Sequence, residues 1–499
     1  MSRLDWISKW ADYTPNKQAL ISFDSNEQYT YKDLNEYANR MQLWLSESRL
    51  TEGDRIAVLS EHCLEFIVLF IACQRLGIIL VPLNYRLSAK ELNLLVADCS
   101  PQLFLYSCSQ KELFDALKVN CQAESICNVE SIYKNPIKTE SRRYQIKDHN
   151  PIFIFYTSGT TGKPKGVIYT NKMMFWNSLN TSMELGITFK DSTINILPPY
   201  HTSGWNVLIT PLLHQGALVG ILKKFNSDQI LKLLDENRIT LFMALPTMLL
   251  MMQRSKEFLS SDLSALRYII SGGETVLPKI VTHWRKAKKL HIRPGYGLTE
   301  AGPSITSLHH KMALLKPGSI GKPNFYVETK IIDHNGNLVQ KGQLGELCIK
   351  GDVVTPGYWN NSVLTHNKIK DEWLQTGDFV YEDEEGFLYI EGRKDDMYIS
   401  GGENIYPKEI ERSLESFEAI EKAVILSVDD DKWGQVGVAF IKLKHKETQI
   451  TDIKEYMNLH LCSYKHPKHM ILIDEIPLSS LGKISRQDLL HLYKSLKMV

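Results

Sequence analysis

At 499 residues the chain exceeds what one core can organise, and length alone sets an expectation of about three domains. Hydrophobic content of 43% and charged content of 23% are those of a soluble globular protein, and a formal charge of +1 gives no case for nucleic acid or an anionic membrane as the main partner. The eight cysteines (Cys63, Cys73, Cys99, Cys108, Cys121, Cys127, Cys348 and Cys462) fall in no C-x-x-C spacing and no histidine pair accompanies them. That argues against a zinc site or redox motif and for reduced thiols in a cytoplasmic protein.

The N-terminus, "MSRLDWISKWADYT", carries charge throughout and has no long apolar core, so no secretory signal is expected. "ALISF" and "QYTY", separated by "DSNE", read as a hairpin, after which Leu34, Tyr37, Ala38, Met41 and Leu45 fall at helical spacing. "RIAVLS", "GIILVPL" and "LFLYS" read as short apolar strands, with a helix over "CLEFIVLFIACQRL" between the first two. This is the most apolar part of the chain, but Gln74 and Arg75 interrupt it. A buried helix leading into a strand is expected there, not a membrane span. Such alternation implies parallel βαβ units. It resumes through "TINILPP", "ALVGIL", "SDQILKLLDEN", "ITLFMALP" and "LRYIISGG", so two doubly wound lobes are expected, with ligands in the crevice outside the strand ends. From about Gly318 to Gly392, "TKIIDHNGNLVQ", "GELCIKG" and "GFLYIEG" are strands joined by Asn/Gly turns, suggesting a small β-barrel or antiparallel sheet. Helices over "PKEIERSLES" and "ITDIKEYMNLHL" and strands over "KAVILSV" and "GVAFIKL" make the last hundred residues a separate α+β unit.

The stretch "YTSGTTGKPKGV", following the apolar run "IFIF", has the composition of a phosphate cradle. Glycines let backbone N–H groups approach an anion, hydroxyls donate further bonds, and lysine adds charge. It is not the common nucleotide loop, because Gly159 and Gly162 stand too close together and Lys163 precedes Pro164 where that loop has Ser or Thr. "SGGE" at 271–274 is either a tight turn or a place where a flat ring packs on backbone. In "PGYGLTEAG", Tyr296 offers a face for stacking and Glu300 a carboxylate of the kind Mg²⁺ takes alongside phosphate, or else a solvated loop glutamate. Asp378 in "WLQTGD" can accept from a ribose diol or end a turn. His201 in "LPPYHTSG" is a lone histidine, more often structural than catalytic. "GRKDDMYISGGENIYPKEIE" lies where the texture changes, an exposed linker or a hinge. Nothing intrinsic promotes Lys483 of "PLSSLGKISR" above a solvated turn lysine.

Read together and in order, these motifs strongly resemble the adenylate-forming superfamily, and within it the acyl-CoA synthetases, over nearly the whole chain. The resemblance implies an α/β fold: a large N-terminal domain (1–394) of two αβ lobes plus a small β-barrel, and a small mobile α+β C-terminal domain (395–499). It implies ATP, Mg²⁺ and coenzyme A as the small molecules used. Thr157, Ser158, Gly159, Thr160, Thr161, Gly162 and Lys165 would embrace the β- and γ-phosphates. Gly272, Gly273, Glu274 and Tyr296 would flank adenine, Asp378 and Arg393 would bind the ribose hydroxyls, and Thr299 would touch the α-phosphate. Glu300 would bind Mg²⁺, and His201 would line the passage between acyl pocket and thiol tunnel. Lys483 would stabilise charge during adenylation. Rotation about Asp395 would then withdraw it and bring Ser400, Gly401, Gly402 and Glu403 to the pantetheine tunnel. Two departures stand out: Gly392 where many relatives have aspartate, and Tyr398 where an aliphatic residue is usual.

By the same resemblance Trp205, Met243, Ala244 and Met248 would make an apolar acyl pocket with no evident arginine for a second carboxylate, which disfavours dicarboxylic acids. A medium- or long-chain fatty acid is therefore expected. An aryl acid of the benzoate, cinnamate or succinylbenzoate type is the alternative, as are loading of a carrier protein and nucleotide binding without turnover. The partners expected are the acid, ATP and CoA. No nucleic acid and no obligatory membrane segment enter, and a homodimer is left open.

Overall fold

The computed structural model describes residues 3–126, 128, 145–157, 164–274, 276–394, 396–400, 403–445, 447–478 and 484–497. A helix that is apolar on all sides has to be buried, and Leu64–Leu76 obeys this, with every residue from Phe66 to Arg75 inside. Its parallel neighbours Arg55–Leu59, Ile79–Pro82 and Leu103–Tyr106 are buried runs too short for helices, and they pair as strands. With Gln122–Ser125, Pro151–Thr157 and Lys165–Thr170 they make a six-stranded sheet in which only the last pair is antiparallel. No helix among the described residues is long and apolar enough to cross a membrane.

Arg75, at the end of that helix, is buried with its guanidinium forked into a polar nest. It donates to Asp5 at 3.0 Å, Asn35 at 2.6 Å, Asn39 at 2.9 Å and Gln42 at 3.1 Å. Just beyond the strand ends of the same sheet lies a second buried charge. Glu61 follows the first strand and accepts from Ser107 at 3.0 Å, Ser109 at 2.9 Å and Gln110 at 2.7 Å, all beyond the end of the adjacent strand Leu103–Tyr106. Burial pushes its carboxyl up, but hydrogen bonds from its own backbone and from Gln110, Ser109 and Ser107 outweigh that and hold it below the usual range.

The hairpin Gln18–Ser22 and Glu27–Thr30 forms as the sequence predicts, but it extends a different sheet from the one its position suggests. Leu20 pairs in parallel with Val219, and Leu218–Ile221 pairs with Ser192–Asn195. A free strand edge needs a partner, and which edge meets which is set two hundred residues away. The second alternating run likewise divides. Leu241–Met243, Tyr268–Ser271 and Ile292–Leu298 run parallel in a further sheet that continues antiparallel through Gly302–Ser307 and Lys322–Pro323.

The chain clusters into two compact units: Met1–Thr329 with Cys348–Gln375 and Glu385–Leu388, and Lys330–Leu347 with Thr376–Glu384 and Tyr389–Val499. This differs from one cut after residue 394, since parts of the strands Gly345–Lys350 and Trp373–Glu382 and most of Leu388–Arg393 go with the C-terminal residues. In the second unit the long antiparallel pair Ile420–Asp430 and Gly434–Leu443 carries His469–Leu472 in parallel. Helices Pro407–Ser416 and Ile450–His460 contribute Ile410, Leu414, Ile453 and Met457 to the core against Tyr398, Ile425 and Ile441.

Two buried histidines give the first unit a pH dependence. His62 lies edge-on to Trp205 with ring centroids 4.9 Å apart, and burial pushes it down to about 3. His214 stacks on Trp6 at 4.1 Å, with Ser178 Oγ 2.9 Å from Nδ1, and burial, helped by Lys9, lowers it to about 4. Both are neutral when folded, so the unfolded chain gains protons first as pH falls through about 6.5. Their contribution to stability is therefore complete above that value and is lost as pH falls, towards about 4 for His214 and about 3 for His62. His214→Gln should flatten the fall in melting temperature between pH 6.5 and 4 relative to the parent, and an unchanged slope would refute this.

Candidate active site

The register Ser271↔Pro294 puts Gly272 and Gly273 beside Gly295 and Tyr296. A Cβ on Gly272 would stand 2.8 Å from the Gly295 carbonyl oxygen, and Gly273 has φ +82°, so neither position admits another residue without strain. Tyr296 is nearly buried, whereas Gly273 and Glu274 are exposed. The four residues expected at adenine are thus brought together at the ends of neighbouring strands. Leu245, just after Met243 and Ala244, approaches the same turn, its Cδ2 lying 3.3 Å from where a Gly273 Cβ would be.

Strand Ile292–Leu298 continues into the 3₁₀ turn Thr299–Ala301, which presents Thr299 and Glu300 half-buried. Glu300 is held twice. Its carbonyl accepts the Thr355 N–H at 2.7 Å, and its Oε1 accepts the Tyr358 hydroxyl at 2.9 Å. Burial first, and Glu300 second, push the Tyr358 phenol up, so it stays a donor. The segment carrying these partners also lies along the strand Lys165–Thr170. Trp359 N–H donates to Gly166 O at 2.7 Å, Ile168 N–H to Gly357 O at 3.1 Å, and Thr355 Oγ1 to Ile168 O at 2.6 Å. The strand begins where Lys165 pairs with Thr157 across the base of the glycine loop. Ser158, Gly159, Thr160, Thr161 and Gly162 lie outside the described residues. Sequence reasoning missed 355–359. Its only local signal is "TPGYW", a Pro-Gly turn before two aromatics.

The turn bearing His201 is fixed by a buried amide chain, also missed. Asn177 donates to Asn206 O at 2.6 Å, Asn206 donates to Thr202 Oγ1 at 3.0 Å, and the Gly204 N–H closes on His201 O at 3.0 Å. Asn177 Oδ1 fills the space where a Cβ on Gly302 would be, joining this turn to the end of the Thr299–Ala301 turn. His201 itself is half-buried beside the Tyr200 ring at 4.8 Å. Of the expected acyl-pocket residues, Trp205 is fully buried among Phe66, Phe70 and Phe153, its indole N–H donating to Pro199 O at 2.8 Å. Met243 and Ala244 are buried at a strand end, and Met248 is half-buried in the first turn of helix Pro246–Gln253.

In the second unit Asp378 is buried with its carboxylate accepting Arg393 Nε at 2.9 Å, which pairs the two residues expected at ribose. Beside them Glu346 accepts Gly377 N–H and Lys394 Nζ, each at 3.0 Å, a brace that sequence reasoning missed. Asp396 pairs with Arg486 at 3.1 Å. Ser400 pairs with Glu403 in a hairpin. Asp395, Gly401, Gly402 and Lys483 lie outside the described residues. The segment holding Lys483 is flanked by the bridge Leu478↔Ile484 and by Ser485 N–H donating to Pro477 O at 2.8 Å.

Among the described residues no cluster of three metal-ligating side chains occurs. Mg²⁺ bound with a nucleotide needs none, since phosphate oxygens and water complete its shell around one or two carboxylates. Glu300 is a carboxylate of that kind, and the residues present fit the ion.

The chain matches the AMP-binding enzyme family over residues 7–359 and the AMP-binding enzyme C-terminal domain over residues 409–483, and it belongs to that family. It is 30% identical to the long-chain-fatty-acid–CoA ligase FadD13 of Mycobacterium tuberculosis, covering 99% of each chain. It is 32% identical to the indoleacetate–CoA ligase of Aromatoleum aromaticum, covering 99% of this chain and 98% of that one. Among solved structures it resembles the O-succinylbenzoate coenzyme A synthetase (MenE) of Bacillus subtilis in complex with ATP and magnesium ion. There the TM-score is 0.87, at 29% identity over 97% of this chain and 99% of that one. These likenesses agree with the α/β fold of a large N-terminal and a small C-terminal domain.

Proposed function

We propose that the chain is an ATP-dependent, AMP-forming acid–CoA ligase, with residues 1–394 as adenylation domain and 395–499 as a mobile domain carrying the catalytic lysine. The observation that carries this reading is the double hold on Glu300 by a segment that also runs along the strand leaving the glycine loop. Glu300 and the strand Lys165–Thr170 are thereby tied to one segment, which supports reading Glu300 as the metal carboxylate beside a phosphate loop.

A carboxylate is a poor electrophile, and its charge repels a thiolate. Attack of the acid's oxygen on the α-phosphorus of ATP forms a C–O–P linkage, breaks the bond to the β-phosphate oxygen and releases pyrophosphate. Backbone N–H groups and hydroxyls of 157–165 hold the departing phosphates, Thr299 the α-phosphate, and Gly272, Gly273, Glu274 and Tyr296 the base. Asp378 and Arg393 bind the ribose hydroxyls. Glu300 would hold Mg²⁺, which would supply positive charge against the phosphates. Lys483 stabilises the charge that develops at the reacting oxygens. Rotation at Asp395 then exchanges it for the hairpin containing Ser400 and Glu403. The CoA thiol enters past His201, attacks the acyl carbon and expels AMP.

Met243, Ala244 and Met248 give the acyl side an apolar lining, and we assign a medium- or long-chain fatty acid. An aryl acid is the second reading, supported by the half-buried Trp176, whose ring centroid lies 5.0 Å from that of Tyr326. The test is pyrophosphate release from ATP and Mg²⁺ across fatty and aryl acids, each with and without CoA. Turnover that requires both acid and CoA is expected, with fatty acids preferred. Preference for an aryl acid would overturn the substrate, and release indifferent to CoA would point to a carrier-protein acceptor.

A further inference from the structure

Two different groups on the segment Thr355–Trp359 grip Glu300. The Thr355 amide holds its main chain at 2.7 Å and the Tyr358 hydroxyl holds its carboxylate at 2.9 Å. The segment is itself immobilised from the other side. It hydrogen-bonds Gly166 and Ile168, Val167 bridges to Tyr358, and the Thr355 hydroxyl caps the Ile168 carbonyl. Tyr358 is 6% exposed, and its backbone N–H is in turn fixed by Thr365 Oγ1 at 3.0 Å. A glutamate on a short turn has three side-chain torsions to settle before its oxygens can meet a cation, and a hydrogen bond to one oxygen selects among them. Partners of this kind, one step behind a metal ligand, orient it and raise the affinity of the site.

We propose that Tyr358 is a positioning residue for Mg²⁺·ATP. By donating to Oε1 of Glu300 it fixes the carboxylate in the orientation that receives the ion. Through Thr355–Trp359 it also keeps that carboxylate in register with the strand Lys165–Thr170. This rests on the reading of Glu300 as the Mg²⁺-binding residue. The hydroxyl touches neither substrate nor metal, so its effect falls on the metal-dependent part of nucleotide binding and not on the base, the ribose or the acid.

The test is calorimetric binding of ATP to the full-length protein, with no acid present, over a series of Mg²⁺ concentrations and in EDTA, for the parent, Tyr358→Phe, Glu300→Gln and the double variant. Phenylalanine keeps the ring and its packing, and a melting curve close to the parent's is required of each variant. Tyr358→Phe should raise the Mg²⁺ concentration for half-maximal enhancement of ATP binding by about 10–100-fold while leaving binding in EDTA unchanged. In the double variant the loss should not exceed that of Glu300→Gln alone, because the hydroxyl acts only through that carboxylate. If Glu300→Gln shifts the Mg²⁺ dependence and Tyr358→Phe does not, the positioning role is wrong and the metal assignment stands. If neither shifts it, both are wrong. Equal weakening with and without Mg²⁺ would mark Tyr358 as packing alone and overturn the proposal.

Discussion

Replacing Lys483 with alanine is expected to slow acyl-adenylate formation by about 10²–10³-fold while leaving transfer from preformed acyl-adenylate to CoA intact. The asymmetry follows from the chemistry of the two steps. In the first, negative charge accumulates on oxygens around the α-phosphorus and a fixed cation lowers the barrier. In the second, a thiolate attacks a neutral acyl carbon and a lysine in that place offers nothing. Around this position Leu478 bridges to Ile484, and Arg486 pairs with Asp396, next to the proposed hinge. Single-turnover measurement of each half-reaction, started from acid with ATP or from purified acyl-adenylate with CoA, decides the matter. Equal impairment of both steps would dispose of the two-orientation account.

The largest effect on stability is expected at Asp5. Its carboxylate is the anion that meets Arg75, with side-chain exposures of 10% and 2% for the pair. Asn35, Asn39 and Gln42 satisfy guanidinium hydrogens but bring no charge. Asp5→Ala therefore strands a buried cation, which costs about 3–5 kcal/mol in comparable sites. Removing both charges with Asp5→Ala and Arg75→Met should cost markedly less than Asp5→Ala alone, because no ion is left without a counter-ion. Urea unfolding of the first unit, followed for both variants, reads the difference. A single variant within about 1 kcal/mol of the parent, as at an exposed pair, would show that the nest is open to water.

The sequence announced those features whose cause is local. A continuous apolar run capped by Gly77 is a buried helix wherever it occurs, and "PKEIERSLES" carries its periodicity and its opening proline within ten residues. The glycine pair of "SGGE" and Tyr296 stood out in the sequence, but their own pattern left a tight turn open, and only the family resemblance suggested that they belong together. What escaped was settled by pairing at a distance. The hairpin at 18–30 chose Leu218–Ile221 as its partner, an edge no nearby residue names. Tyr358 meets Glu300 across 58 positions, and Asn177 reaches Asn206 across 29, so neither reads as anything but a turn aromatic or a helix amide from its neighbours. Trp205 was legible as apolar but not as the centre of an aromatic box whose phenylalanines come from two separate elements.

Glu61 gives the first sheet its own character. The strands Arg55–Leu59 and Leu103–Tyr106 are neighbours whose outgoing connections leave in opposite directions, the geometry that opens a crevice for a ligand in sheets of this type. That seat is taken by the chain's own carboxylate, with Ser107, Ser109 and Gln110 ranged about it as they would be about a guest. A carboxylate fixed at that point repels a second anion, so the crevice is filled from within by the chain itself. The strands on either side of the glycine loop, Pro151–Thr157 and Lys165–Thr170, lie at the other side of the same sheet, away from this carboxylate.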